Sequence, residues 1–158
     1  MSIRQRNIHP NSALGEEYWE FNVSAITADA ADSIYLHDVE RLEITEVGWA
    51  GTALAGTSPT ITPTIKYGND ALDPDDPATG TAAYAASGDY IADTAWPHVK
   101  RFHEDGGDNP VILGQPQTVN NTDRRGIMLK VVADLGGTVT NCTGKVFVRY
   151  RAFRSEDL

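Results

Sequence analysis

The clearest regular pattern in the chain is a run in which apolar and polar side chains alternate. In residues 18–26 every second position is apolar, starting at Trp19, and the positions between them are mainly polar. Successive side chains of a strand point to opposite faces, so this period predicts a strand with one buried face. Residues 126–134 and 145–153 show the same period, and strands are predicted there too. Within 126–134 both phases carry apolar side chains, which predicts that both faces are partly covered.

A further alternating run changes phase part of the way along. Leu42 and Ile44 share one phase, whereas Val47 starts the opposite one. A β-bulge sets two residues of one strand opposite one residue of its partner, so a single extra residue would return the apolar side chains to one face. We therefore predict a strand over this run with a bulge at Thr45 or Glu46.

Residues 60–67 predict another strand, with one proline inside it. Ile61 and Ile65 lie on one side, and threonines fill much of the other. Pro63 has no N–H group to donate to a neighbouring strand. This strand is therefore predicted to lie at a sheet edge or to be interrupted.

Segments rich in Gly, Pro, Asn and Asp separate the alternating runs. Residues 134–137 and 143–144 predict hairpin turns, and residues 68–77 and 105–110 predict longer loops. Short strands punctuated in this way are typical of sandwiches and barrels.

The pattern predicts an all-β fold, a single β-sandwich or jelly roll with an extended N-terminal arm. No stretch keeps a helical period, and short helices are expected at most near residues 12–18 and 93–102. Residues 1–16 are polar and precede the first strand, and they read either as a frayed terminus or as an arm that docks on a neighbour. We assign residues 1–16 to the arm and residues 17–158 to the sandwich domain.

Size and composition are those of one soluble globular domain. The chain has 158 residues, of which 22% are charged and 41% hydrophobic. Its formal net charge of −9 argues against nonspecific binding of nucleic acid. The longest apolar run, residues 82–86, is too short to span a bilayer, and the N-terminus shows no secretory signal. The protein is therefore expected to bind neither nucleic acid nor membrane.

The charges are distributed unevenly along the chain. Residues 67–99 carry six acids and no lysine or arginine, whereas both ends are cationic. Chance variation of the surface would produce such a pattern, and so would complementarity between neighbouring copies.

Candidate metal sites in the sequence are weak. The acidic run contains four aspartates but lacks the spacing of an EF-hand, so a solvated loop that needs no calcium is expected: Asp70, Asp73, Asp75, Asp76. A polar segment holds His98 and His103 together with two acids, Glu104 and Asp105. The two histidines are five residues apart, which suits neither strand alternation nor one helical face, so a zinc site is not predicted.

Signals for catalysis are also missing from the sequence. There is no G-x-S-x-G pattern, and the segment that ends at Lys145 lacks the spacing of a phosphate loop. The single cysteine, Cys142, has no histidine near it in sequence and is expected to be buried. We predict that the protein is not an enzyme and uses no cofactor.

Several aromatic residues lie outside the alternating runs. Trp96, Tyr84 and Tyr90 are candidates for a ligand-binding or interface surface. A carbohydrate-binding β-sandwich module on a virion or cell surface is therefore kept as an alternative function.

Four segments together resemble a known class of structural proteins. They are residues 41–48, 56–68, 126–132 and 143–150, and the likeness extends as a style of strand and turn over residues 39–153. The chain resembles the head decoration, or cement, proteins of tailed bacteriophages, which have β-sandwich or jelly-roll folds. The resemblance implies a virion protein that is made in the host cytoplasm, assembles as a homo-oligomer, most simply a trimer, and stabilises the capsid surface by binding the major capsid protein.

The candidate subunit contacts are cationic residues near the two ends of the chain. Arg4 and Arg6 lie in the arm, and Arg149, Arg151 and Arg154 lie in or next to the last predicted strand. A closed ring would bring a cationic end of one copy against the anionic middle of the next.

Overall fold

The computed structural model describes residues 16–68, 72–84, 91–95, 97–102, 111–114 and 126–154. These residues form seven β-strands and no helix: β1 Glu16–Ile26, β2 Ala30–His37, β3 Val39–Gly68, β4 Thr81–Tyr84, β5 His98–Arg101, β6 Val111–Gly114 and β7 Gly126–Arg154. The predicted all-β class is confirmed. Nearly all of the predicted arm, residues 1–16, lies outside the described residues, and only Glu16 is seen, as the first residue of β1.

Two very long strands, β3 and β7, form the spine of the fold. They pair antiparallel from Val39 opposite Arg154 to Gly68 opposite Met128. β1 and β2 pair with the two halves of β7. β5 and β6 pair with the first part of β3, and β4 pairs with its last residues. All the described strands therefore belong to one continuous antiparallel sheet, and the finer division into a sandwich or a jelly roll stays a prediction.

Both ends of the β3–β7 ribbon contribute to one buried core. The ring of Tyr84, in β4, meets the ring of Phe102, which follows β5, edge to face at a centroid distance of 5.4 Å. This contact joins strands that pair with opposite ends of β3. Ten residues on the apolar phases of the predicted strands are buried: Leu42, Ile44, Trp49, Ile65, Ile127, Leu129, Val131, Val146, Val148 and Tyr150. Two others, Trp19 and Phe21, are partly buried and pack against this cluster.

The predicted bulge in the first half of β3 is confirmed. Ile44 lies opposite Tyr150 and Glu46 opposite Arg149, so Thr45 is the extra residue. The bulge restores the inward phase, and Val47 is buried as a result.

The strand around Pro63 is not interrupted, because β3 is continuous from Val39 to Gly68, but its side away from β7 is only partly paired. On the side away from β7, Ile61 forms a bridge with Ile91, and pairing with β4 begins only at Ile65. Among the described residues no strand pairs with Pro63 on that side, where its missing N–H group costs no hydrogen bond.

The two predicted hairpin turns, at residues 134–137 and 143–144, are wrong. Both segments continue within β7 and stay paired with β3. Each lies instead beside a register shift, because β3 has one residue more than β7 there: Thr52 is extra in one place, and Ser58 and Pro59 lie opposite Gly137 alone in the other. Glycine accommodates the second irregularity, since Gly137 has a φ of 71°.

Two smaller expectations also fail within the described residues. His98–Arg101 is strand β5 and not part of a helix, because it pairs with Glu46–Trp49 of β3. The alternation predicted for residues 18–26 ends at Val23, where the register shifts, and Ala25 is exposed with a φ of 51°.

A pair of glycines makes room for the largest buried side chain. Gly51 and Gly144 lie opposite each other in β3 and β7. A Cβ atom on Gly51 would lie 2.6 Å from Nε1 of Trp49, and one on Gly144 would lie 2.6 Å from Cη2 of the same indole. The small residues therefore let the indole cover the sheet at this point.

Replacing Leu129 with alanine should destabilise the protein strongly. Leu129 is fully buried in β7, and its truncation should lower the free energy of unfolding by about 2–5 kcal/mol. Urea unfolding measures this loss. Leu135→Ala, at a partly exposed position of the same strand, is the matched control and should cost less than about 1 kcal/mol. A loss below about 0.5 kcal/mol for Leu129→Ala would contradict the burial of this face.

Candidate functional site

One side of the sheet carries an ordered array of charged and aromatic side chains. Because Val146, Val148 and Tyr150 of β7 are buried, the alternate residues of this strand and their neighbours in β1, β3 and β5 lie on the opposite side. We call this side the charged face; its principal residues are Glu16, Tyr18, Glu20, Glu46, Arg101, Lys145, Phe147, Arg149 and Arg151.

The structure places two of the five candidate contact residues together on the charged face. Arg149 and Arg151 are two positions apart in β7, and their side chains are 43% and 37% exposed. Arg4 and Arg6 lie outside the described residues. The backbone of Arg154 pairs with Val39, and its side chain lies outside what the structure describes.

Both of these arginines have acidic neighbours in their own chain. Nε of Arg149 is 3.4 Å from Oε1 of Glu46, whose other carboxylate oxygen accepts a hydrogen bond of 3.1 Å from Nε of Arg101. Nη2 of Arg151 is 3.7 Å from Oε2 of Glu16. Exposed pairs of this kind contribute little to stability but orient the side chains. The arginines are therefore held in place on the sheet.

The bulged residue Thr45 links the strands beneath this array. Its Oγ1 atom lies 3.0 Å from Oε2 of Glu16 and 3.3 Å from the carbonyl oxygen of Arg149. A cavity of about 280 Å³ opens here, lined mainly by charged side chains: Glu16, Thr45, Glu46, Arg101, Phe102, Arg149 and Arg151. Pockets for small apolar ligands have mainly hydrophobic walls. This cavity is suited instead to polar or charged groups.

Tyr18 is the most exposed large aromatic residue of the described structure. The residue is 43% exposed. The guanidinium of Arg149 lies 4.8 Å from the centre of its ring, and the ring of Phe147 lies 5.9 Å away at a tilt. Cation–π geometry of this kind is favourable within about 6 Å. Arginine and tyrosine are both enriched where proteins bind other proteins.

A short hydrogen-bonded chain fixes the carboxylate of Glu20 beside Tyr18. Nζ of Lys145 donates a bond of 2.8 Å to Oε2 of Glu20, and the hydroxyl of Tyr18 donates one of 2.9 Å to the same oxygen. The bond from Lys145, followed by that from Tyr18, lowers the pKa of Glu20 below its usual value. Burial, followed by the hydrogen bond to Glu20, raises the pKa of Tyr18.

A second polar constellation lies on β7 far from the charged face. Lys130 is fully buried, and its ammonium group binds the backbone of the acidic loop, residues 72–80. Lys130 lies in a strand that was predicted to be partly covered on both sides, but it was not among the candidate site residues. The sequence contained one signal for this site, namely a charged residue at the centre of an apolar run. The expectation that the loop needs no calcium stays a prediction.

The other chemically reactive residues of the described structure, Cys142 and His98, do not belong to a cluster of functional side chains. Cys142 is buried, as predicted, and burial raises the pKa of its thiol. Nε2 of His98 is 3.3 Å from Oδ1 of Asp93, whereas the segment from His103 to Asp105 lies outside the described residues. In the described part of the chain, no group of three or more His, Cys, Asp or Glu side chains is arranged to hold a metal ion.

Of the three aromatic residues proposed for a ligand surface, only Tyr84 is described. It is partly buried and packs on Phe102, whereas Trp96 and Tyr90 lie outside the described residues. Tyr18 was missed as a surface aromatic, although its position out of phase with Trp19 and Phe21 already indicated the outer face.

Comparison of the chain with protein-family models, with curated proteins and with solved structures found no match. Across the described residues there is no helix long and apolar enough to cross a membrane. The charged face is therefore interpreted from its own geometry.

Removing the lysine partner should raise the pKa of Glu20. In Lys145→Gln the charge-assisted bond is lost, so the carboxyl should titrate closer to its usual value; NMR titration of the Glu20 side chain measures this. The lowered pKa means that the stabilisation from this pair is present at neutral pH and is lost as the pH falls through the titration of Glu20. Arg41→Gln, which removes the partner of Glu43, is the control and should leave the Glu20 pKa unchanged. An unchanged Glu20 pKa in Lys145→Gln would show that the pair does not form in solution.

Proposed function

We propose that the protein is a non-enzymatic structural protein of a virion that decorates the head by binding subunits of the major capsid protein. The observation that carries this proposal is the charged face, where Arg149, Arg151 and Tyr18 are held in fixed positions on a broad sheet. An extended surface of ordered arginine and tyrosine side chains fits a protein partner better than a small molecule. The segment resemblance to phage decoration proteins supports the same class.

Many copies of the protein on one capsid would allow individually weak contacts to give stable attachment. A decoration protein meets many identical copies of its partner, and linked weak contacts give strong overall binding. We propose a homo-oligomer, most simply a trimer, on the capsid surface after synthesis in the host cytoplasm. Neither nucleic acid nor membrane is a partner in this proposal.

A carbohydrate-binding module is the second candidate. The exposed ring of Tyr18, with the carboxylate of Glu20 beside it, is the observation that favours it. However, the guanidinium of Arg149 covers one side of that ring at 4.8 Å, where a sugar would have to stack. The arrangement therefore favours a protein partner.

Replacing both face arginines should weaken binding to the shell without unfolding the protein. In Arg149→Gln/Arg151→Gln, affinity for heads assembled from the proposed capsid-protein partner should fall at least tenfold, or about 1.4 kcal/mol. The melting temperature should change little because the pairs are exposed. Co-sedimentation with such heads measures binding. Lys100→Gln removes one positive charge from the opposite phase of β5 and is the control.

The two candidate functions predict different outcomes in this experiment. Binding to a glycan panel that is lost in Tyr18→Ala, with no binding to heads, would favour the carbohydrate module. A gene neighbourhood without capsid, portal or terminase genes, together with no binding to any head, would contradict the virion proposal.

Deleting residues 2–14 should leave the domain folded but reduce assembly. The deletion removes the cationic residues Arg4 and Arg6 and stops before β1, so the melting temperature should be nearly unchanged. Light scattering should show a smaller oligomer, and shell binding should fall. A deletion variant that oligomerises and decorates heads like the full chain would exclude a role for the arm, and a full chain that stays monomeric at high concentration would exclude the trimer.

A further inference from the structure

The two lysines of one cross-strand pair both bind the acidic loop. Lys66 of β3 lies directly opposite Lys130 of β7, an arrangement in which like charges repel. Nζ of Lys66 donates bonds of 2.7 and 3.2 Å to the carbonyl oxygens of Pro77 and Ala78. The loop thus wraps its backbone oxygens around a pair of cations that the sheet holds together.

Lys130 occupies the deeper of the two positions. Its Nζ atom lies 2.6 Å from the carbonyl oxygens of both Asp73 and Asp76. The carbonyl oxygen and hydroxyl of Thr79 lie at 3.0 and 2.8 Å. All four partners are oxygen atoms of one loop, and the lysine side chain is fully buried. Loops that bind hard cations in proteins present oxygen atoms of the same kind as ligands.

The loop is built so that its carbonyl groups point to the lysines while its aspartates have other roles. Asp73 Oδ1 accepts the backbone N–H of Asp75, and Asp76 Oδ1 accepts that of Ala78. Asp73 and Asp75 remain exposed. Burial lowers the pKa of Lys130, and the carboxylates of Asp76 and Asp73 oppose that effect.

The number of carbonyl acceptors favours the charged form of the lysine. An ammonium group has three N–H donors, and three carbonyl oxygens surround it here. A neutral amine has two donors and would turn a lone pair toward a carbonyl oxygen. A neutral side chain of similar length would leave all three carbonyl groups without their charged partner, and hydrogen bonds to charged groups are the stronger ones.

We infer that the acidic loop is a cation-binding cage whose resident cation is the ammonium group of Lys130. A shorter side chain at position 130 would open the cage to a small primary ammonium ion from solution. The distances of 2.6–3.0 Å suit an ammonium and exceed most of the 2.3–2.6 Å range of calcium–oxygen bonds. This inference does not depend on the proposed function.

Chemical rescue of Lys130→Ala tests the inference. The variant should melt about 4 °C or more below the wild-type protein and should be cleaved faster within residues 72–80. Ethylammonium chloride should recover part of the melting temperature, because a ligand that binds only the folded state stabilises it. Choline chloride at the same ionic strength should not, since its cation has no N–H donor. Calcium chloride should restore less than ethylammonium.

Two further variants separate the charge from the packing. Lys130→Met keeps the length of the side chain but blocks the cage, so it should be destabilised and should not respond to ethylammonium. Lys66→Met is the matched control, because Lys66 binds the same loop from a less buried position; its effect should be smaller, and it should not respond to ethylammonium.

Each outcome decides the question. Wild-type stability in Lys130→Met, or a response of Lys130→Ala to choline equal to its response to ethylammonium, would overturn the inference. If Lys130→Ala does not fold alone, its refolding yield is measured with each salt, and a yield that rises with ethylammonium but not choline supports the cage. A yield that no salt changes overturns it.

Discussion

The antiparallel pairing of β3 with β7 is the constraint on which the rest of the structure depends. It runs from Val39 opposite Arg154 to Gly68 opposite Met128 and provides an edge for every other described strand. Such long strands cannot remain regular, because a sheet twists and its register must adapt. The bulges between them, including the one at Thr45, keep apolar side chains on the buried side.

This ribbon also brings distant charges together. At one end, Arg149 and Arg151 of β7 meet glutamates from β3 and β1. At the other, Lys130 and Lys66 meet the carbonyl groups of the acidic loop. The cationic C-terminal segment thus has acidic partners within its own chain, and these lie at positions 16 and 46, outside the anionic middle. Contacts with other copies would form in addition to these internal pairs. The side chains of the charged face are therefore oriented before any partner binds.

The local pattern predicted the strands better than it predicted their ends. Alternation located β1, both halves of β7 and the phase change at Thr45, because burial of one face leaves its mark on every second residue. The glycines at 136–137 and 144 were read as turns because glycine favours positive φ in either a turn or a bulge. Only the presence of a continuous partner, β3, decides that the chain goes on instead of reversing.

What the sequence determined by itself was the class of the fold and the composition of its faces. The period of two predicted the buried side chains of β7 and placed Arg149 and Arg151 on the other side, since both follow from local geometry. The tertiary structure alone decided which charges meet. Lys130 is buried because a loop more than fifty residues earlier supplies its oxygen partners, and a buried ammonium is tolerated only when such partners surround it. No local pattern encodes a partner that arrives from so far along the chain.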